Sequence, residues 1–155
     1  MITAPHYWLL KSEGDTYSID HLNTDKKTPW SGVRNYQARN FMRDGMKKGD
    51  LCLFYHSSSK QNGVFGIARV ATSPYPDPAQ FEKKSPYFDP KSTREKPTWT
   101  LVDIAFVEKF KKPVLVGVMK NDPALEGMKL WRAHRLSIQP VSEKHFKHIV
   151  KVCAS

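Results

Sequence analysis

Two bulky, apolar segments near the middle of the chain restrict the folds that it can adopt. They are LCLFYH, residues 51–56, and VFGIARV, residues 64–70. Both contain the aromatic and β-branched residues that strands favour, and the polar loop SSSKQNG between them predicts a β-hairpin. Gly66, inside the second strand, predicts a bulge or the close approach of another backbone.

Three further segments, residues 6–10, 99–110 and 135–141, have the composition of strands. Short helices are predicted after Ser18 and Ser142, because each serine can cap the helix that follows it. Short strands with non-local partners and few helices predict an α+β fold, a small mixed β-barrel with helices packed outside it.

The clearest helix is predicted over residues 34–48. An apolar stripe at i, i+3, i+4 and i+8 spacing is formed there by Ala38, Phe41, Met42 and Met46. Another face carries basic residues at i, i+4 and i+8 spacing, namely Arg39, Arg43 and Lys47. These basic residues either contact nucleic-acid phosphates or form a solvated helix face.

The chain of 155 residues carries a net charge of +10. This length predicts one domain, residues 1–155. The excess of positive charge favours a polyanionic partner, with nucleic acid ahead of an anionic membrane surface, although basic charge can also serve solubility alone. Because no apolar run approaches the ~20 residues of a membrane span, we expect no membrane insertion.

Two features bear on the compartment and on the loops. Cys52 and Cys153 lie far apart and outside any CxxC motif, which predicts neither a disulfide scaffold nor a zinc site and favours a cytoplasmic location.

Residues 71–98 hold six of the 11 prolines. A loop this long in a compact domain is usually functional or mobile.

The sequence lacks the common catalytic motifs. It contains no GxSxG, Walker or GxGxxG pattern. His56 and Ser57 are adjacent in a predicted strand, so their side chains point to opposite faces and make a poor base–nucleophile pair. His145 and His148 lack a third metal ligand nearby in sequence, and we expect them to face solvent. We therefore expect no enzyme activity, no cofactor and no metal.

The loop TPWSGVRN, residues 28–35, combines an aromatic residue with polar groups. Trp8 and Trp99 lie in apolar segments and are expected in the core, whereas Trp30 lies in a glycine-bearing loop. Trp30 either closes the end of the barrel or walls a pocket that stacks on a base. Arg34 offers a fork for phosphate. Asn35 can read a base edge or cap the following helix, and both roles can coexist in this loop.

Further polar groups follow two predicted strands. Lys11 and Ser12 end the first strand, and residues 55–57 end the first strand of the hairpin. Hydroxyls and aromatic rings at strand ends are how a pocket at the mouth of a barrel is built.

Eight blocks in order resemble one known family. They are WLLKSEGDTYSIDHL, WSGVRNYQARNFMR, KKGDLCLFYHSS, GVFGIARV, YPDPAQF, YFDPKST, WTLVDIAFV and RLSIQPVS. Together they resemble the EVE domain, the module of the thymocyte nuclear protein family and its bacterial relatives, over about residues 7–150. One departure stands at Gly14, where the family usually has proline in Lys-Ser-Glu-Pro, and glycine leaves that loop less stiff.

The resemblance implies a PUA-like β-barrel flanked by helices that binds modified bases in DNA or RNA. The related YTH domain holds a methylated adenine in an aromatic cage, and Trp30 is similar to one wall of that cage. The implied pocket consists of Lys11, Ser12, Trp30, Ser31, Asn35, Tyr55, His56 and Ser57. The residues implied to contact the nucleic-acid backbone are Arg34, Arg39, Arg43 and Lys47. No second aromatic wall is identified.

Three functions remain open at this point. The first is a reader of a modified base, either a modified cytosine or a methylated adenine. The second is a general RNA-binding adaptor of PUA type that does not discriminate modifications. The third is an enzyme acting on nucleic acid or a nucleotide through His56 or Asp77.

Overall fold

The computed structural model describes residues 6–153. The strands are β1 (Tyr7–Glu13), β2 (Lys27–Pro29), β3 (Leu51–Ser57), β4 (Gly63–Val70), β5 (Tyr75–Pro76), β6 (Thr100–Leu101), β7 (Asp103–Leu115) and β8 (Ile138–Val141). The α-helices are α1 (Ile19–Asp25), α2 (Tyr36–Asn40), α3 (Val116–Lys120) and α4 (Glu143–Cys153). A π-helical turn (Phe41–Gly45) follows α2, and short 3₁₀ turns lie at Pro78–Phe81, Pro123–Leu125 and Lys129–Trp131.

One mixed sheet organises the fold. Its strand order is β2-β7-β4-β3-β1-β8, with β1 parallel to β3 and the other neighbours antiparallel. Because β2 and β8 remain as edges, the sheet forms a half-barrel flanked by helices. The α+β class and the mixed, barrel-like sheet predicted from the sequence are confirmed.

The predicted hairpin is β3 and β4, and its irregularities lie where the sequence places them. The register with β7 shifts between Val64 and Gly66, which confirms the predicted bulge. A side-chain carbon on Gly66 would collide with the backbone oxygen of Glu108, so the backbones also approach closely.

The sheet has a hydrophobic cluster on each face, because successive side chains of a strand point in opposite directions. On the first face, α1, α2 and the π-helical turn cover a cluster that includes Trp8, Leu10, Met42, Cys52 and Phe54. On the second face, α3 and α4 cover a cluster that includes Leu9, Leu53, Tyr55, Met119 and Ile149.

The predicted helix over residues 34–48 is shorter than expected. It begins at the cap Asn35 and ends with the π-helical turn, where the Met46 N–H donates to the Phe41 carbonyl and Met46 is extended. The carboxylate of Asp50 then accepts the N–H of Lys47 at 3.0 Å. Lys47 therefore lies beyond the helix, and the basic residues do not form one continuous helical face.

Other elements follow the prediction in part. The Ser18 and Ser142 hydroxyls accept N–H groups of α1 and α4, so both predicted caps are confirmed. The strand expected over residues 99–110 is divided into β6 and β7, and Trp99 precedes both. Trp99 is buried, as predicted, but it lies outside both hydrophobic clusters.

A buried glutamine ties the proline-rich segment, residues 71–98, to itself and to Trp99, the residue that follows it. The Gln80 amide donates to the carbonyls of Asp77 and Trp99 at 2.8 and 2.7 Å. Its side-chain oxygen accepts the Trp99 N–H and the Ser92 hydroxyl. These bonds, together with β5 and one 3₁₀ turn, give the long loop a defined path.

Candidate nucleic-acid interface

A cavity of about 480 Å³ opens at the end of β1, beside the loop that contains Trp30. Five residues predicted for the interface line it, namely Lys11, Ser12, Trp30, Ser31 and Arg34. Its volume falls within the range of about 300–1,000 Å³ that small-molecule sites occupy. The cavity can therefore hold a ligand of nucleobase or nucleoside size.

Trp30 is both a packing residue and a cavity wall. Its ring meets Phe54 edge-on at a centroid distance of 5.8 Å and Tyr17 at 6.2 Å. The side chain is half-buried, and the remainder of its surface faces the cavity. The two alternatives posed by the sequence, a residue that closes the barrel and a pocket wall, are thus compatible.

Lys11 and Ser12 line the cavity while they bond to the protein. The Lys11 ammonium donates to the His134 carbonyl at 2.9 Å, and burial lowers the pKa of Lys11. The Ser12 hydroxyl donates to the Tyr17 carbonyl at 2.6 Å. Since an ammonium has three N–H donors, Lys11 keeps hydrogen-bonding capacity for a ligand.

Asn35 lies outside the cavity lining. Its side-chain oxygen accepts the Ala38 N–H at 2.9 Å and caps α2. The capping alternative is confirmed, and the contact with a base edge stays a prediction.

Residues 55–57 also lie outside the cavity lining, so the prediction that they form its wall is wrong for this cavity. Tyr55 is buried in the cluster on the second face of the sheet. The Ser57 hydroxyl donates to the Ser12 carbonyl at 3.4 Å. The physical reason is that the Tyr55 and His56 side chains are almost fully buried against the sheet's own clusters.

His56 has a structural environment on the first face of the sheet. Its Nε2 accepts the Ile19 N–H at 3.0 Å, and its ring stacks on Phe65 with centroids 4.0 Å apart. Burial lowers the pKa of His56 and favours the neutral ring. An imidazole that accepts at Nε2 cannot also act there as a general base.

Arg34 holds the cavity wall instead of presenting a free fork for phosphate. Its guanidinium forms an ion pair with Asp77 at 3.1 Å and donates to the carbonyls of Tyr87 and Val33. These bonds use four of the N–H directions available to an arginine. These bonds engage most of the guanidinium, and the phosphate contact expected of Arg34 stays a prediction.

The other residues predicted to contact the nucleic-acid backbone are of two kinds, one bonded within the protein and two exposed. Arg39 is half-buried and donates to the Thr98 carbonyl at 2.8 Å, so it ties α2 to the proline-rich segment. Arg43 and Lys47 are exposed, and Arg43 pairs with Asp44 at 2.8 Å. Exposed charges such as these remain available to phosphates.

Two aromatic lining residues, Tyr17 and Tyr87, were missed by the sequence reasoning. The Tyr17 hydroxyl donates to Asp25 at 2.8 Å, and burial, together with that bond, raises its pKa to about 12. Tyr87 comes from the proline-rich segment and begins the block YFDPKST, which contributed to the family resemblance without being assigned to the pocket. The cavity therefore has three aromatic walls.

Asp77 fixes the loop that carries Trp30. Its carboxylate is 1% exposed and accepts the N–H groups of Gly32 and Ala79 at 2.9 Å, in addition to the ion pair with Arg34. Gly32 has a φ of +83°, and a side-chain carbon there would lie 2.8 Å from the Tyr87 ring. Glycine is required because both the backbone angle and the space exclude a larger residue.

The histidines of α4 differ from the prediction. Both are half-buried, and His148 Nε2 lies 2.6 Å from the Asp122 carboxylate, so the expected solvent-facing pair is wrong. Within residues 6–153, no three side chains of the histidine, cysteine, aspartate or glutamate types group in a way that could hold a metal ion. In this same range, no helix has the length and apolar character needed to cross a membrane.

The family model of the EVE domain matches residues 6–152. The chain belongs to the EVE domain family. This finding confirms the resemblance carried by the eight sequence blocks, and the matched range includes every strand and all but the last residue of α4 in this EVE domain protein.

Known relatives agree with this assignment. Thymocyte nuclear protein 1 from Homo sapiens is 37% identical over an alignment 165 positions long, and that alignment covers 94% of this chain and 73% of that protein. A hypothetical protein from Leishmania major has 45% identity and a TM-score of 0.93, with 97% of this chain and 96% of that chain covered. Human THYN1, solved in complex with DNA containing 5-methylcytosine, has 36% identity and a TM-score of 0.90, covering 97% and 98%.

Proposed function

We propose that this EVE domain protein binds nucleic acid that carries a modified base and accepts that base in the cavity beside Trp30. The observation that carries the proposal is the cavity itself, which joins three aromatic walls to polar groups. The net charge of +10 and the relative solved with DNA containing 5-methylcytosine support it. Modified cytosine in DNA is therefore the first ligand to test, with modified RNA and methylated adenine after it.

The cavity offers the two kinds of contact that an extruded base needs. The rings of Trp30, Tyr17 and Tyr87 provide apolar surface for the base and its methyl group, while Lys11 and Ser31 provide hydrogen-bonding groups. Removing a base from a duplex costs a few kcal/mol. Stacking on an aromatic residue returns about 1–3 kcal/mol, so contacts between exposed basic residues and phosphates must supply the remainder.

The experiment compares Trp30→Ala with Trp30→Phe, which keeps an aromatic ring. Fluorescence anisotropy measures the affinity for matched DNA oligonucleotides with 5-methylcytosine or cytosine at one position, at two salt concentrations. We expect Trp30→Ala to weaken binding of the modified oligonucleotide by roughly 5–150-fold, the equivalent of ~1–3 kcal/mol of lost stacking. The plain oligonucleotide should lose less, because its base has no methyl group to contact the ring, so the ratio of the two affinities should fall toward one. An unchanged ratio of affinities in Trp30→Ala would refute the assignment of the pocket.

Thermal unfolding of both variants is the control for folding, because the Trp30 ring also packs on Phe54. The ratio between modified and plain ligand is insensitive to a change in the folded fraction, since that change scales both affinities equally. The ratio therefore separates a loss of recognition from a loss of stability.

A general RNA-binding adaptor is the second candidate, favoured by the basic charge alone. Equal affinities for modified and plain oligonucleotides, with RNA bound more tightly than DNA, would support it.

A cytoplasmic location also stays a prediction, because the human relative is named a nuclear protein.

We propose a non-catalytic module because both candidate catalytic groups are engaged within the protein. His56 Nε2 accepts the Ile19 N–H, and the Asp77 carboxylate binds Gly32, Ala79 and Arg34. Turnover of a nucleotide or oligonucleotide that is abolished by His56→Ala would overturn this part of the proposal.

A further inference from the structure

Tyr36 is the most exposed large apolar side chain within residues 6–153, with 62% of its surface accessible. It is the first residue of α2, directly after the cap Asn35. Its ring stacks on the buried Trp99 with centroids 4.9 Å apart and planes 23° apart. Tyr36 is therefore held in a fixed orientation while most of its surface faces solvent.

The face of Tyr36 that points away from Trp99 is open. The Arg39 guanidinium lies 5.0 Å from the Tyr36 ring centre and 5.8 Å from that of Trp99, while the two rings are 4.9 Å apart. These three distances form a nearly equilateral triangle, so the guanidinium lies beside the stack. On the outer face of Tyr36, it would lie much farther from Trp99.

A continuous row of flat groups connects Tyr36 to the cavity. The Arg34 guanidinium lies 5.2 Å from the Trp99 ring centre and 5.3 Å from that of Tyr87, which lines the cavity. We call this row, which consists of three aromatic rings and one guanidinium, the aromatic row; its members are Tyr36, Trp99, Arg34 and Tyr87. Its inner end is the cavity wall, and its outer end is the open face of Tyr36.

We propose that the open face of Tyr36 is a second nucleotide subsite, on which an unpaired base of the same strand stacks when the modified base occupies the cavity. Every base has a π-face, so such a subsite binds without regard to sequence or modification. Positive charge beside it comes from Arg39, which suits the phosphates that link the two bases. This inference rests on the proposed binding of nucleic acid.

A purely structural role for Tyr36 makes a different prediction. If the ring only covers Trp99, its removal lowers stability and leaves the affinity per folded molecule unchanged. If the ring is a subsite, its removal lowers the affinity for modified and plain strands by the same factor.

The test uses the whole protein and single-stranded DNA containing one 5-methylcytosine. Anisotropy titrations compare wild type, Tyr36→Ala, Tyr36→Phe and Val118→Ala, the last removing another exposed apolar side chain, 57% accessible, in α3. We expect Tyr36→Ala to weaken binding of modified and plain strands equally, by roughly 5–150-fold. Tyr36→Phe and Val118→Ala should bind like wild type.

A second readout locates the stacked base without any variant. The fluorescent base 2-aminopurine is placed in turn at each position flanking the 5-methylcytosine, and stacking is expected to quench it at one position when wild type binds. That quenching should disappear in Tyr36→Ala and remain in Tyr36→Phe.

The outcomes separate this inference from the function on which it rests. Wild-type affinity in Tyr36→Ala, or the absence of any quenched flanking position in wild type, overturns the subsite even if Trp30→Ala still loses the preference for the modified base. A wild-type protein that binds no oligonucleotide overturns both.

Discussion

Replacing Asp77 by asparagine tests how the cavity is held in place. The carboxylate of Asp77 is almost fully buried and accepts two backbone N–H groups and the guanidinium of Arg34. Asparagine has nearly the same shape, but it carries no charge, and its NH₂ group must face one of these donors. The variant therefore changes the electrostatics of the site while its volume is preserved.

The expected loss follows from the partners of Asp77. Removing one member of a buried ion pair costs about 3–5 kcal/mol, and hydrogen bonds to charged groups contribute about 1.5–3 kcal/mol each. The Arg34 side chain is 21% exposed, so water can solvate part of its charge after the change. We therefore expect a loss near the lower bound, about 3 kcal/mol.

Urea unfolding followed by tryptophan fluorescence measures this loss as a lower midpoint at an unchanged slope. Thermal unfolding should show a decrease of roughly 6–12 °C, given about 2–4 °C per kcal/mol for a chain of this length. Asp44→Asn is the matched control, because it breaks an ion pair with Arg43 whose side chains are 61% and 47% exposed. That surface change should leave the midpoint where it is. An Asp77→Asn midpoint equal to that of wild type would contradict the reasoning.

Two further predictions concern the cavity and its surroundings. Burial lowers the pKa of His56, so the unfolded chain binds the His56 proton more tightly than the folded chain does. The stability that His56 contributes is therefore complete above about pH 6.5, its ordinary pKa. This stability declines as the pH falls toward the lower pKa of the folded state. The urea midpoint should therefore fall less between pH 7 and pH 5 in His56→Gln than in wild type; an equal fall would show that other groups cause the pH dependence. Gly32→Ala should destabilise the fold by about 1–3 kcal/mol through its positive φ and the contact with Tyr87. Gly117→Ala, with no atom within 4 Å of the added carbon, should unfold at or above the wild-type midpoint, and a Gly32→Ala midpoint that matches it would contradict the expected strain.

Local signals in the sequence predict the local structure well. The hairpin of β3 and β4, the bulge at Gly66 and the serine caps of α1 and α4 each depend on a few neighbouring residues. The parallel pairing of Tyr7 with Leu51 joins strands far apart in the chain, and no pattern within either strand specifies it. The sequence therefore indicates a mixed sheet without giving its strand order.

In the candidate site, too, local signals reveal some residues, while the place of others depends on contacts that are distant in sequence. Trp30 could be found because an aromatic residue beside glycine in a polar loop is a local signal. Tyr87 could not, because its position depends on the bonds that Gln80 and Asp77 make across the proline-rich segment. Tyr55 and His56 were assigned to the pocket from the family resemblance and from their place at a strand end, but neither signal reveals which neighbours cover the faces of that strand.

The departure at Gly14 affects the support of the cavity and not its lining. Gly14 is absent from the lining, and its N–H donates to the Ser57 carbonyl at 3.3 Å, a bond that proline cannot make. The cavity wall at Ser12 is held separately, by the bond from its hydroxyl to the Tyr17 carbonyl. A side-chain carbon at Gly14 would lie 3.0–3.1 Å from the His56 ring, which the stack on Phe65 and the Ile19 N–H keep in place. Glycine at this position therefore serves the link between β1 and β3.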